Sequence, residues 1–354
     1  MRAVVIGASG NFGARICRAL KQDSGFEIIP AGRSAAARLD IHSSGFEQDL
    51  RTLNPGLVIH CAGPFQGQGY RVARAALAAG AHYLDLADGR EFVARFRERN
   101  DAAAKAADRI ALCGASTLPA LSTAVIDSLR PRFAQMEEIR IAIAPAQRAP
   151  RGAATIAGVF SYAGKSFKVL RGGAWTHAWG WQELRRVRIE WIGRRWAAAC
   201  DVPDLELLPA RYHGVKTVEF HAALELGIQH LALWIAAGLR RAGLPLPLER
   251  WAAPLDKLAS WLDAFGSERG GMLVSVTGKD ARGGMKRLEW HLLADDGHGP
   301  EIPCMAAILL ARKIARNELA ERGAHPCMGF LALEDFEPEF ARWGIKTVVR
   351  ECAA

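Results

Sequence analysis

Gly7, Gly10 and Gly13, with Ser9, Asn11 and Phe12 between and after them, carry the spacing in this chain that points most directly to chemistry. They follow the short β-branched run Met1-Arg-Ala-Val-Val-Ile6 and lead into the helix-forming stretch Ala14 to Gln22. A strand, a glycine turn and a helix in that order leave backbone N–H groups free at a helix N-terminus, where a pyrophosphate can be held. Phe26 to Ala31 reads as a second strand, and Arg33 and Ser34 follow it, about twenty residues beyond the third glycine. An acidic side chain there would serve a ribose 2′-OH. An arginine beside a hydroxyl suits a 2′-phosphate, so the pattern favours NADP over NAD, unless Arg33 is only a solvated loop residue. Ala37 to Ile41 reads as a short third strand, and Asp40 within it falls near the adenine. Leu57 to Cys61 is an apolar fourth strand that enters Ala62, Gly63, Pro64 and Phe65. Ligands of parallel sheets lie at the carboxyl ends of strands, which places Cys61 to Phe65 beside the ribose and nicotinamide.

A group that can move a proton or hold a developing charge has to accompany hydride chemistry. The candidates at strand ends are Asp85 and Asp88 after the fifth strand and Thr117 after the sixth, with Lys165 further along, where it and Arg148 could hold a carboxylate. Asp85 reads equally as a turn or cap residue. Cys61 has no partner base in its sequence surroundings and is expected to pack beneath the ribose rather than act as a nucleophile. The seven cysteines form no C-x-x-C pair, which fits reduced thiols and a cytoplasmic setting, and no metal site is expected. His221, Glu225 and His230 are read as sharing one amphipathic helix, used for packing.

The elements that would position these residues are apolar runs alternating with helical segments, the mark of a buried parallel sheet. At 354 residues the chain is long for one core, and all ten tryptophans lie between Trp175 and Trp343. The expected fold class is α/β: a doubly wound Rossmann domain over 1–134, then an α+β substrate or dimerisation domain with a mixed or antiparallel sheet over 135–300. A C-terminal helix and tail over 301–354 would return to the first domain. In that tail Met305 to Leu319 reads as helix, and Gly329 to Phe336 as a closing strand or loop. The net charge of +9 is uneven, since Lys165 to Cys200 holds eight basic residues against two acidic. Arg186 to Ile192 alternates with period two, as a half-buried strand does, so this stretch reads as a solvated face rather than a nucleic-acid surface. No apolar run is long enough for an integral membrane segment. Glu219 to Leu244 is left open as a core helix, a dimer face or a helix lying on a bilayer.

Gly7 to Gly13, Ala31-Gly-Arg-Ser34, Val58 to Phe65, His82-Tyr-Leu-Asp-Leu86 and Gly114 to Ser122 together resemble the saccharopine dehydrogenase-like family. In the remainder only Gly299 to Pro303 and Gly329 to Phe336 look similar. The resemblance implies a Rossmann domain joined to a mixed-sheet substrate domain, NADP(H) as hydride carrier, often a homodimer, and oxidation or reduction of a C–N bond in a small amino-acid-derived molecule. Extended short-chain reductases share the glycine spacing but need Tyr-x-x-x-Lys, which Tyr70 to Arg74 and Tyr162 to Lys165 both miss. A third reading is an NADP-binding scaffold, dimeric or membrane-peripheral, that has lost its chemistry.

Overall fold

The computed structural model describes residues 1–150 and 152–353. Its elements alternate through β1 (Arg2–Ile6), α1 (Asn11–Leu20), β2 (Glu27–Gly32), β3 (Ala37–Arg38), α2 (Phe46–Thr52), β4 (Leu57–His60), α3 (Arg71–Ala78), β5 (His82–Asp85), α4 (Arg90–Ala106) and β6 (Ile110–Cys113). There follow α5 (Ser122–Leu129), β7 (Gln135–Ala144), α6 (Ala153–Tyr162), β8 (Ser166–Arg171), β9 (Ala174–Trp179), β10 (Arg185–Ile189), β11 (Gly193–Ala199), α7 (Asp204–Arg211) and β12 (Thr217–Ala222). The chain continues through α8 (Gly227–Arg241), α9 (Ala252–Ser260), β13 (Gly270–Lys279), β14 (Met285–Ala294), α10 (Ile302–Ala315), β15 (Gly323–Pro326), α11 (Leu333–Arg342) and β16 (Lys346–Cys352).

Two compact units result, Met1–Leu121 with Pro300–Leu331, and Ser122–Gly299 with Ala332–Ala354. The tail read as one piece over 301–354 is thus divided: α10 and β15 join the first unit, α11 and β16 the second. The first boundary falls before α5 rather than after it.

The first unit holds a seven-stranded sheet in the order β15-β6-β5-β4-β1-β2-β3, parallel throughout. β4 and β6 are buried along their whole length and β1 nearly so, which is why they read as apolar runs rather than alternations. The direction of strand order reverses between β1 and β4. α1 turns Ile16, Cys17 and Leu20 inward at helical spacing. Beneath the end of β4, Phe65 packs 5.4 Å from Phe92, Tyr70 4.7 Å from Phe92 and Tyr83 5.9 Å from Phe96, centroid to centroid. Such pairs add about 0.5 to 1.5 kcal/mol each beyond burial.

The second unit is built on a nine-stranded mixed sheet running β10-β11-β12-β7-β13-β14-β16, with β8 on β12 and β9 on β8. β7 and β12 are parallel; the other pairings are antiparallel. His221 lies on β12, Glu225 in the connection and His230 on α8, so the single helix expected for these three does not form. The reason is that β12 is buried on both faces, Thr217 through His221, and shows no alternation to read. Glu219 is buried there against Arg140, Arg171 and Arg185. Burial alone would raise its carboxyl, but Arg185 and the other arginines hold it down at about 2. In the tail, α10 begins at Ile302, and Leu333 to Phe336 are helical instead of closing a sheet, with Asp335 receiving the Ala332 N–H at the start of α11.

Asp204 is fully buried with its carboxylate oxygen accepting the Ser122 hydroxyl. Burial pushes it up to about 7, only partly opposed by that bond. A carboxyl whose folded pKa is raised favours the protonated state, so stability falls as pH rises from about 4, the unfolded value, through 7. Asp204→Asn is expected to remove this slope and to stabilise the protein at pH 8 by an amount on the order of 1 to 3 kcal/mol. Urea titrations at pH 5 and pH 8 check it; equal slopes for both proteins would show Asp204 ionised and compensated.

Candidate functional site

The turn after β1 is closed by backbone bonds from Gly7 N and Ala8 N to Ala31 O, at 2.9 and 3.2 Å, and from Gly10 N to Gly7 O at 3.0 Å. Each glycine has a distinct steric duty. Gly7 has φ +83° and packs on the end of β4, where an added Cβ would stand 2.9 Å from Ala62 N. Gly13 lets α1 press against the turn: a Cβ there would lie 2.3 Å from Gly7 O. Gly10 differs. It is extended, at φ −78° and ψ 169°, is exposed, and its Cβ would meet only Gly7 O at 3.2 Å. Open space over the residue at the N-cap of a helix is what an approaching pyrophosphate requires. β1 and β4 end here, at the reversal of strand order, where parallel sheets hold ligands.

At the end of β2, Arg33 and Ser34 are exposed, and Ser34 Oγ lies 3.2 Å from Ser9 Oγ. The phosphate turn and the second strand end are therefore adjacent, with two hydroxyls between them. Asp40 spends one carboxylate oxygen on the His42 N–H at 3.0 Å, a local turn. Cys61 N donates to Ile6 O at 2.8 Å, and Gln68 Nε2 holds Ala62 O and Pro64 O at 2.9 and 2.7 Å, fixing the loop Ala62 to Phe65. Phe65 is buried against His60. The Cys61 thiol is pushed well above its usual range by burial, so it stays protonated.

The groups proposed for proton transfer lie in unlike surroundings. Asp85 is fully buried, and Oδ1 accepts Gly114 N at 2.7 Å and Ala87 N at 3.0 Å, tying the ends of β5 and β6 together. Burial raises its carboxyl to about 6 against the pull of those two N–H bonds. Asp88 is exposed and takes Gln66 Nε2 at 3.2 Å. Thr117 is half-buried just beyond β6. Lys165, in the second unit, is exposed and paired with Glu249 at 3.4 Å, and Arg148 donates to Asp263 O at 3.1 Å. Among the described residues no group of three or more His, Cys, Asp or Glu could hold a metal ion, and no helix is long and apolar enough to cross a membrane.

Arg15 and Glu301 were not apparent from the sequence. Arg15 on α1 bridges Glu301 at 2.9 Å and Asn11 O at 2.8 Å, so the residue before α10 anchors the first turn of α1. The only signal was that Glu301 sits in the Gly299 to Pro303 stretch the resemblance picked out. His60 was also missed; its Nδ1 is 3.1 Å from the Tyr83 hydroxyl, and burial lowers it to about 4, leaving it neutral.

Scanned against protein-family models and against curated proteins, the sequence matches none. Solved structures do match. Apo saccharopine dehydrogenase (L-Glu forming) from Saccharomyces cerevisiae is 12% identical, covers 99% of this chain and 100% of its own, and has a TM-score of 0.66. The DAP dehydrogenase of C. glutamicum, in complex with DAP, is 15% identical over 96% of this chain and 98% of its own, with a TM-score of 0.50. The chain has the two-domain, saccharopine dehydrogenase-like fold: a Rossmann sheet joined to a mixed sheet.

Proposed function

We propose that this protein is an NADP(H)-dependent oxidoreductase acting on a C–N or C–O centre of a small polar or amino-acid-derived molecule. The observation that carries the reading is Gly10, left open over the N-terminus of α1 at the strand-order reversal, with Gly7 and Gly13 too crowded to be replaced. That cradle, Arg33 and the Ser9–Ser34 hydroxyl pair fit a dinucleotide that bears a 2′-phosphate. Gly7 to Gly13 would hold the pyrophosphate, Arg33 and Ser34 the 2′-phosphate, and Ala62 to Phe65 would line the ribose. The bound cofactor would supply or accept the hydride. Asp88, exposed beyond β5 and bonded to Gln66 next to Phe65, is the group we assign to proton exchange with a substrate, while Asp85 stays in the framework. Titration calorimetry tests the cofactor assignment. NADPH is expected to bind about ten- to a hundredfold more tightly than NADH, and Arg33→Ala to remove most of that difference. Equal affinities in the unaltered protein would overturn it. NADPH absorbance with amines, amino acids and 2-oxo acids then finds the substrate class.

A further inference from the structure

α8 and the segment that follows it leave an apolar face uncovered. Ile228, Leu231, Ile235 and Leu239 recur along one side of α8 and are 71%, 37%, 53% and 43% exposed. Gly227 through Leu239 contains no Asp, Glu, Lys or Arg, and its opposite side buries His230 and Ala237. A helix apolar on both sides is normally enclosed. Gln229 Nε2 reaches Ala259 O at 3.2 Å, linking α8 to the end of α9, and at and just after that end Leu258, Trp261 and Phe265 are 54%, 71% and 77% exposed. Together these seven side chains expose on the order of several hundred Å², the scale at which exposed apolar surface marks an interaction site. The exposed charges on these segments are basic: Arg241, Arg250 and Lys257. Glu249 is taken up by Arg240 and Lys165, at 2.9 and 3.4 Å, Asp256 is half-buried, Asp263 between Trp261 and Phe265 is half-buried and accepts Gln147 Nε2 at 2.8 Å, and the exposed acid Glu268 follows only beyond Phe265.

We infer that this face docks on the surface of an anionic phospholipid bilayer, with the α8 stripe, Trp261 and Phe265 entering the interface and the basic residues meeting the headgroups. Apolar depth combined with a cationic border is the pattern of interfacial binding, and the chain's +9 charge adds long-range attraction. A second copy fits less well. Two-fold pairing would set the patch on itself and gather two sets of Arg241, Arg250 and Lys257 around it.

The test is flotation of the full chain with vesicles of phosphatidylcholine alone and of a two-to-one mixture of phosphatidylcholine and phosphatidylglycerol. Binding is expected with the mixture and at least about tenfold less with phosphatidylcholine. Ile235→Glu with Leu239→Glu should cut binding about tenfold or more without changing circular dichroism, since both side chains already face solvent. Met285→Glu, at the exposed first position of β14, should leave it unchanged. If the double glutamate variant misfolds, Ile228→Gln with Phe265→Ser replaces it. The proposal is overturned if the protein does not float with the anionic vesicles, or floats equally well after either pair of substitutions. It is also overturned if light scattering shows a dimer that those substitutions split, for then a second copy covers the face.

Discussion

Gly10→Val is expected to abolish dinucleotide binding, by at least about a hundredfold, while far-UV circular dichroism and thermal midpoint stay near those of the unaltered protein. The backbone at Gly10 is extended, a conformation any residue adopts, and the only neighbour of a new Cβ is Gly7 O at 3.2 Å. The isopropyl group would project into the space where phosphate oxygens must approach the amides. Gly13→Val should do the opposite. Its Cβ would lie 2.3 Å from Gly7 O and 2.8 Å from Gly7 C, both backbone atoms, so α1 has to move off β1 at a cost of about 3 kcal/mol or more. Calorimetry paired with urea unfolding separates the two outcomes. Retained nucleotide affinity in Gly10→Val would mean that the turn serves the fold alone.

The second large effect concerns Asp85. Asp85→Ala withdraws the acceptor from two amides, Gly114 N and Ala87 N, and should cost on the order of 2 to 5 kcal/mol of stability. Asp85→Asn keeps an oxygen for both and stands in for the protonated acid, which burial already favours up to a pH of about 6. It should therefore be close to neutral at pH 5 and should stabilise above pH 7, where the native carboxylate is ionised at a cost. Denaturant midpoints across that range measure this. A thousandfold loss of turnover in Asp85→Asn with unchanged stability and cofactor affinity would instead make Asp85 a participant in the reaction.

What could be read from the chain, and what could not, divides by how local the signal is. β1, α1, β4 and β6 announce themselves because each is a short apolar run or a 3.6-residue stripe bounded by glycine or polar residues. The three glycines carry their spacing within seven residues. β15 does not announce itself: Gly323-Ala-His-Pro326 has the composition of a chain break and becomes a strand only because β6 offers a free edge. β12 likewise hides its nature. Glu219 and His221 look like solvent-facing residues of a helix, and only the arginines brought up from β7, β8 and β10 make a buried carboxylate tolerable. In the candidate site, Arg33 and Gly10 were visible as types at a spacing. That Asp85 is a latch and Asp88 is open could not be read, since both follow the same strand and differ only in which amides lie across from them.

The division of the tail has a consequence for how the molecule is made. Synthesis delivers β1 to β6 first, yet α10, whose Cys304, Ile308, Leu310 and Ala311 are buried, and β15, which covers the edge of β6, arrive only after the whole stretch from Ser122 to Gly299. The nascent Rossmann unit must wait with an unpaired sheet edge and an uncovered apolar flank, the state most open to wrong pairing. The second unit in turn is completed by α11 and β16, which follow β15 in the chain. Neither unit is a contiguous stretch of gene, and a fragment ending near residue 134 would lack part of its own core.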